Sequence, residues 1–142
     1  MPSFRPPSLN IAWGALLVCA AWMLAGCGSP ESPPGVVVHV DKYNFRSVVI
    51  KNKRPVLLEF WSYSCEPCKT LDPKLETLAH EHEEIVVAKV NSEESEAIAL
   101  EYGVHLVPAL FVFEEGQIIR RQIGAPSDKE LADLIAPYVR SK

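Results

Sequence analysis

Val56-Leu57-Leu58-Glu59-Phe60-Trp61 is the segment that most narrows what this chain can fold into. A strand with one wet face alternates apolar and polar side chains, whereas a nearly unbroken apolar run belongs to a strand covered on both sides. That requires helices above and below a parallel or mixed sheet. The flanking sequence supplies them. From Glu66 to His82 the period is helical, with Leu71, Leu75 and Leu78 on one stripe and Lys69, Lys74, Glu76 and Glu81 largely elsewhere. Pro73 predicts a kink in that helix. Ile85 to Val90 reads as the next strand and Glu93 to Tyr102 as a short helix stopped at Gly103, which completes a βαβ unit.

Upstream, Val36 to Val40 is a β-branched run suited to a strand, and Phe45, Val48 and Val49 recur at helical spacing before a break at Arg54-Pro55. After Pro108 the pattern changes. Ala109 to Phe113 and Gln117 to Ile123 are strands separated by Glu114-Glu115-Gly116, too short a link for a crossover helix, and they predict an antiparallel hairpin. Ser127-Asp128-Lys129-Glu130 is a capping box that opens a last helix with Leu131, Leu134, Ile135 and Val139 on its apolar side. The expected domain, residues 36–142, is therefore α/β with a mixed central sheet and helices on both faces.

The N-terminus reads as an address rather than as part of this core. Arg5 precedes an almost uninterrupted apolar run from Ile11 to Ala25, whose 15 residues fall short of the roughly 20 that span a bilayer as a helix. Leu24-Ala25-Gly26-Cys27 closes the run and resembles the lipobox of bacterial lipoproteins, in which the cysteine is lipidated and becomes the new N-terminus. An ordinary secretory signal followed by a chance cysteine is the alternative. Residues 1–26 are thus expected to be a lipoprotein signal, and residues 27–35 a lipidated cysteine and Pro-rich tether with nothing to bury. The expected location is outside the cytoplasm, on the periplasmic or outer side of a bacterial membrane. Which membrane receives the chain is left open.

Of the four cysteines, Cys19 and Cys27 lie in this N-terminal part, so the domain holds only Cys65 and Cys68 and no structural disulfide framework. The two stand in Cys65-Glu66-Pro67-Cys68, between the buried strand and the long helix. Positions three apart on a helix approach within about 5–6 Å, close enough for a disulfide. The helix N-terminus favours an anion, lowering the thiol pKa of Cys65 below the free value of about 8.5 and making it the attacking thiolate. Cys68, deeper, is expected to resolve the mixed disulfide. Pro67 suits the first turn because its missing N–H would have no partner there.

Two other readings compete. Half of a zinc site would need further ligands, and the domain offers only His39, His80, His82 and His105, none in a paired ligand spacing. A purely structural disulfide across so tight a loop would stabilise little. With 14 basic residues interspersed among 18 acidic ones, nucleic acid is not an expected partner.

Over residues 40–140 the chain resembles the thioredoxin family, through Phe60-Trp61 before the motif, Cys65-x-Pro67-Cys68-Lys69 within it, then Pro73, Val107-Pro108, Gly116 and Gly124. The resemblance implies a thioredoxin fold and a protein-disulfide oxidoreductase whose only redox centre is the Cys65–Cys68 pair, with no cofactor and no metal. It further implies that Val107-Pro108 is a cis peptide facing the cysteines, where Trp61, Val107 and Pro108 meet a substrate segment. It also makes Glu59 the buried acid that exchanges protons with the inner cysteine, and Lys89 the lysine that moderates it.

Three positions depart from the family pattern. Ser64 replaces a tryptophan before the first cysteine, Glu66 replaces a glycine and sets a carboxylate near Cys65, and Glu59 is one methylene longer than the usual aspartate. Pro67, the lack of a histidine between the cysteines, and Glu66 all favour a reductase of exported proteins over a strong oxidase. Such a reductase acts on protein thiols and disulfides and draws electrons from a transmembrane donor. The alternatives are a disulfide oxidase or isomerase and a tethered binding or chaperone module that does not turn over.

Overall fold

A computed structural model describes residues 32–139. Cys27 and the signal segment lie outside the described residues. Five strands form one sheet in the order β1-β3-β2-β4-β5, where β1 is Val38–Val40, β2 Val56–Trp61, β3 Val86–Asn91, β4 Ala109–Glu114 and β5 Gln117–Ile123. The first three strands run parallel to one another, and β4 and β5 are added antiparallel. Helices α1 (Glu66–Glu81), α2 (Glu96–Glu101) and α3 (Asp128–Ile135) complete the fold, with a π-helical turn over Arg46–Ile50.

Because successive strand residues point to opposite faces, β2 divides its side chains between two cores. Val56, Leu58 and Phe60 join Val86, Ala88, Val90, Phe111 and Phe113 beneath Phe45, Val49 and Ile98. Leu57 joins Val87, Leu110 and Val112 against Leu71, Leu75 and Leu78 of α1 and Leu131, Leu134 and Ile135 of α3. Glu59 and Lys89 are in register across the β2–β3 ladder and have the parity of Leu57 and Val87, so they face α1.

Several elements differ from expectation. The π-helical turn, closed by Lys51 N–H on the Arg46 carbonyl at 2.8 Å, is what the spacing of Phe45, Val48 and Val49 encodes. Strand β1 starts only at Val38. Helix α2 begins at Glu96 rather than Glu93, because the Asn91 carboxamide oxygen accepts the N–H groups of Glu93 (2.8 Å) and Glu94 (3.2 Å) and holds them in a turn. The hairpin link is Glu115-Gly116 alone, both at positive φ (49° and 78°), while Glu114 pairs within β4; a two-residue turn of that hand matches strand twist. Pro73 lies inside α1, which continues past it to Glu81 over the span expected of that helix. Ser32, expected to lie in the tether, is buried, its hydroxyl 3.3 Å from the Asn52 amide and its carbonyl bonded by the Arg54 guanidinium.

Candidate functional site

Strand β2 ends at Trp61, and a short loop then delivers Cys65 as the N-cap of α1. The backbone at Cys65 is extended (φ −85°, ψ 94°), so its sulfur turns back over the helix start and accepts the Cys68 N–H at 3.2 Å. Pro67 occupies the first turn, as its missing donor allows. The cysteines are joined as a disulfide with Cα atoms 5.3 Å apart, Cys65 being 6% and Cys68 1% exposed. When the bond is reduced, the free N–H groups and positive end of α1 favour charge on the Cys65 sulfur.

The Val107–Pro108 peptide is cis. Pro108 immediately precedes Ala109, which pairs with Phe60, so it stands at the same end of the sheet from which β2 leads into the cysteine loop. Pro108 is buried, and Val107 packs at the edge of the first core. Trp61 is half-buried, its ring edge-on to Tyr63 with centroids 5.2 Å apart. Tyr63, which sequence reasoning passed over, is 60% exposed and donates its hydroxyl to Glu94 at 2.5 Å.

Glu59 is wholly buried, and neither carboxyl oxygen has a hydrogen-bond partner. Removal from water pushes its pKa from 4.5 up to about 7; the Lys89 charge pulls the other way and the Asp72 charge adds to the rise. The Lys89 ammonium is 3.7 Å from Glu59 Oε2, in direct contact with Asp72 Oδ1, and 5.0 Å above the Trp61 ring. Asp72 is the second group that sequence reasoning passed over. Its signal was positional: it follows Cys68 by four residues on α1 and therefore shares the stripe that faces β3. Among the described residues, no three His, Cys, Asp or Glu side chains are grouped to hold a metal ion.

The thioredoxin family model matches residues 36–137. This chain belongs to the thioredoxin family. Thioredoxin from Haemophilus influenzae is 34% identical over 104 residues, covering 72% of this chain and 97% of that protein. Chloroplastic thioredoxin M5 from Oryza sativa subsp. japonica is 38% identical over 136 residues, covering 95% of this chain and 77% of that one. Among solved structures, a thioredoxin mutant from Halobacterium salinarum superposes with a TM-score of 0.70 at 31% identity, over 79% of this chain and 98% of its own. The protein is accordingly a thioredoxin-type protein-disulfide oxidoreductase, of a family that works on protein thiols and disulfides through a redox-active disulfide without an external cofactor.

Two of its departures from the thioredoxin pattern have structural consequences. Ser64 is exposed beside the disulfide and leaves the aromatic surface there to Trp61 and Tyr63. Glu66 is exposed as well, and its carboxylate meets the Lys69 ammonium at 2.5 Å across one helical turn. The charge expected to oppose a Cys65 thiolate is thus paired with a neighbour, and in water such a pair acts on the sulfur only weakly.

Proposed function

We propose that this thioredoxin is a membrane-tethered reductase of exported proteins. The observation that carries the redox roles is the Cys65 sulfur seated as N-cap of α1, with the less exposed Cys68 one turn behind it. In the proposed cycle the Cys65 thiolate attacks a substrate disulfide, the substrate S–S bond breaks, and its electron pair leaves on the second substrate sulfur. Glu59 then accepts the proton of Cys68, whose thiolate attacks the Cys65 sulfur of the mixed disulfide and expels the first substrate sulfur. Two electrons pass to the substrate and Cys65–Cys68 closes. Trp61, Val107 and Pro108 form the contact surface for the extended substrate segment, and Lys89 tempers the charge on Glu59.

Reductase polarity is supported by Pro67 and by the absence of any cation between the cysteines that would hold a thiolate as strong oxidases do. Export and anchoring are supported by the apolar run to Ala25 and by Leu24-Ala25-Gly26-Cys27, with Cys27 as the lipidated residue. A carrier on the far side of the membrane must then return electrons to the disulfide, and a transmembrane thiol carrier meets that requirement.

Insulin reduction tests the chemistry, and the reduction potential tests the direction. Cys65→Ser is expected to lose at least about a hundredfold in rate, and Cys68→Ser is expected to stall as mixed disulfides whose partners identify the substrates. The potential is expected near or below that of the glutathione pool, about −220 mV. Undiminished activity in Cys65→Ser removes the catalytic roles, and a potential near −120 mV reverses the direction.

A further inference from the structure

Lys89 faces two carboxylates and is committed to one. Its register partners are Glu59 on β2 and His39 on β1, and α1 brings Asp72 to it from above the sheet. The ammonium touches Asp72 Oδ1 but stops 3.7 Å short of Glu59 Oε2, and both Glu59 oxygens are left without a hydrogen bond. The more exposed acid therefore holds the cation while the sealed acid goes without, although a buried carboxylate has more to gain from a full partner. Asp72 has a side chain 38% exposed, against 0% for Glu59. It lies at the edge of a cavity of about 510 Å³ whose other polar lining is His39, Glu76 and Lys89. On β4, the residue in register with Glu59 is the apolar Leu110. The charged or titratable groups around Glu59 are thus Lys89 and Asp72, with His39 and Glu76 farther along the cavity and Cys68 one turn before Asp72.

We propose that Asp72 is a positioning residue that draws the Lys89 ammonium away from Glu59 and so keeps Glu59 a proton-exchanging acid at neutral pH rather than a salt-bridged carboxylate. One cation between two acids allows only one full ion pair. With Lys89 on Asp72, protonation of Glu59 leaves the trio neutral and its ionisation leaves a net negative charge in an apolar site, which is the condition that raises a carboxyl pKa. The upward displacement of Glu59, to which Asp72 contributes in the same sense, agrees with this geometry. Asp72 reaches the cysteines only through Lys89 and Glu59. The functional part of the proposal rests on Glu59 as proton acceptor for Cys68.

The test is a titration of the Glu59 carboxyl by carbon NMR in the full chain, set beside the pH profile for Cys68 release of a mixed disulfide. In Asp72→Asn the freed ammonium swings to Glu59, and the midpoint is expected to fall by at least about one pH unit, with the acid limb of the release profile moving the same way. Asp72→Glu is expected to restore both. Asp72→Ser, smaller and equally uncharged, gives the same reading if the asparagine form does not fold. In a Lys89→Gln background the loss of Asp72 is expected to shift the midpoint by less, since no cation remains to redirect. An unchanged midpoint in Asp72→Asn overturns the proposal, as does an equal shift with and without Lys89, which would leave Asp72 acting through space alone. Glu59→Gln separates the two layers: a release profile indifferent to it ends the proton role of Glu59, while the carboxyl titration still decides what Asp72 does to Lys89.

Discussion

At the scale of single residues, the energetic oddity is a carboxyl group sealed from water without a hydrogen bond. Burial lifts Glu59 from 4.5 to about 7, so the native state holds its proton more tightly than the unfolded chain does. The stabilisation by that proton is complete below the unfolded pKa and is lost as pH rises through the folded one, a difference of about 2–3 kcal/mol between roughly pH 5 and 8. Denaturant unfolding of the oxidised protein is expected to show that decline, and Glu59→Gln to flatten it whatever the variant's absolute stability; a slope that survives the substitution assigns the titration to another group. Glu59 was legible in the sequence because one acid inside Val56–Trp61 has no polar face to occupy. Cys65 and Cys68 were legible because a strand runs straight into a helix around them. Lys89 and Asp72 were not readable as a pair, since a lysine in a strand and an aspartate in a helix look like surface groups until the β2–β3 register and the facing helix bring them together.

At the scale of elements, backbone conformation decides more than composition does. Gly116 sits at φ +78° in the β4–β5 turn, and a Cβ there would lie 2.7 Å from the Ile50 carbonyl oxygen, a backbone atom that cannot step aside. Gly103 has a similar φ of +67° after α2, but a Cβ would meet nothing within 4 Å. Gly103→Ala is therefore expected to cost about 1 kcal/mol, the conformational penalty alone, whereas Gly116→Ala adds displacement of the π-helical turn and is expected to cost at least about 2 kcal/mol in denaturant unfolding. Equal costs would show that the turn gives way. Ser127→Ala removes one half of the α3 capping box, the hydroxyl that takes the Glu130 N–H at 3.3 Å, leaves the backbone N–H of residue 127 on the Glu130 carboxylate at 2.8 Å, and is expected to cost about 1 kcal/mol. The hairpin and this cap could be read from sequence because turn and cap chemistry is local. The late start of α2 could not, because acids from Glu93 onward suit a helix N-terminus equally well until the Asn91 side chain captures two of their N–H groups.

At the scale of the whole molecule, the question is whether the domain and its attachment are separable. Both hydrophobic cores, the disulfide and the Glu59 cluster lie within the segment that matches a complete thioredoxin almost end to end. Ser32, gripped by Asn52 and Arg54, marks where the preceding chain joins that body. Among the described residues, no helix is long and apolar enough to cross a membrane. If Cys27 carries the lipid, changing that one side chain should remove the lipid and the cleavage that follows it without touching the chemistry of the domain. Cys27→Ala, expressed in a bacterium fed labelled palmitate, is expected to lose the label and to keep its N-terminal apolar run, since cleavage before Cys27 follows lipidation, with the insulin-reducing rate within about twofold of the parent because the change lies outside the domain that holds the site. Retention of the label would place the lipid on another residue. Retention in washed membranes is expected on either reading, because without Cys27 the apolar run stays attached and holds the chain by itself; it is the label, and the N-terminus of the parent at Cys27, that depend on the Cys27 sulfur.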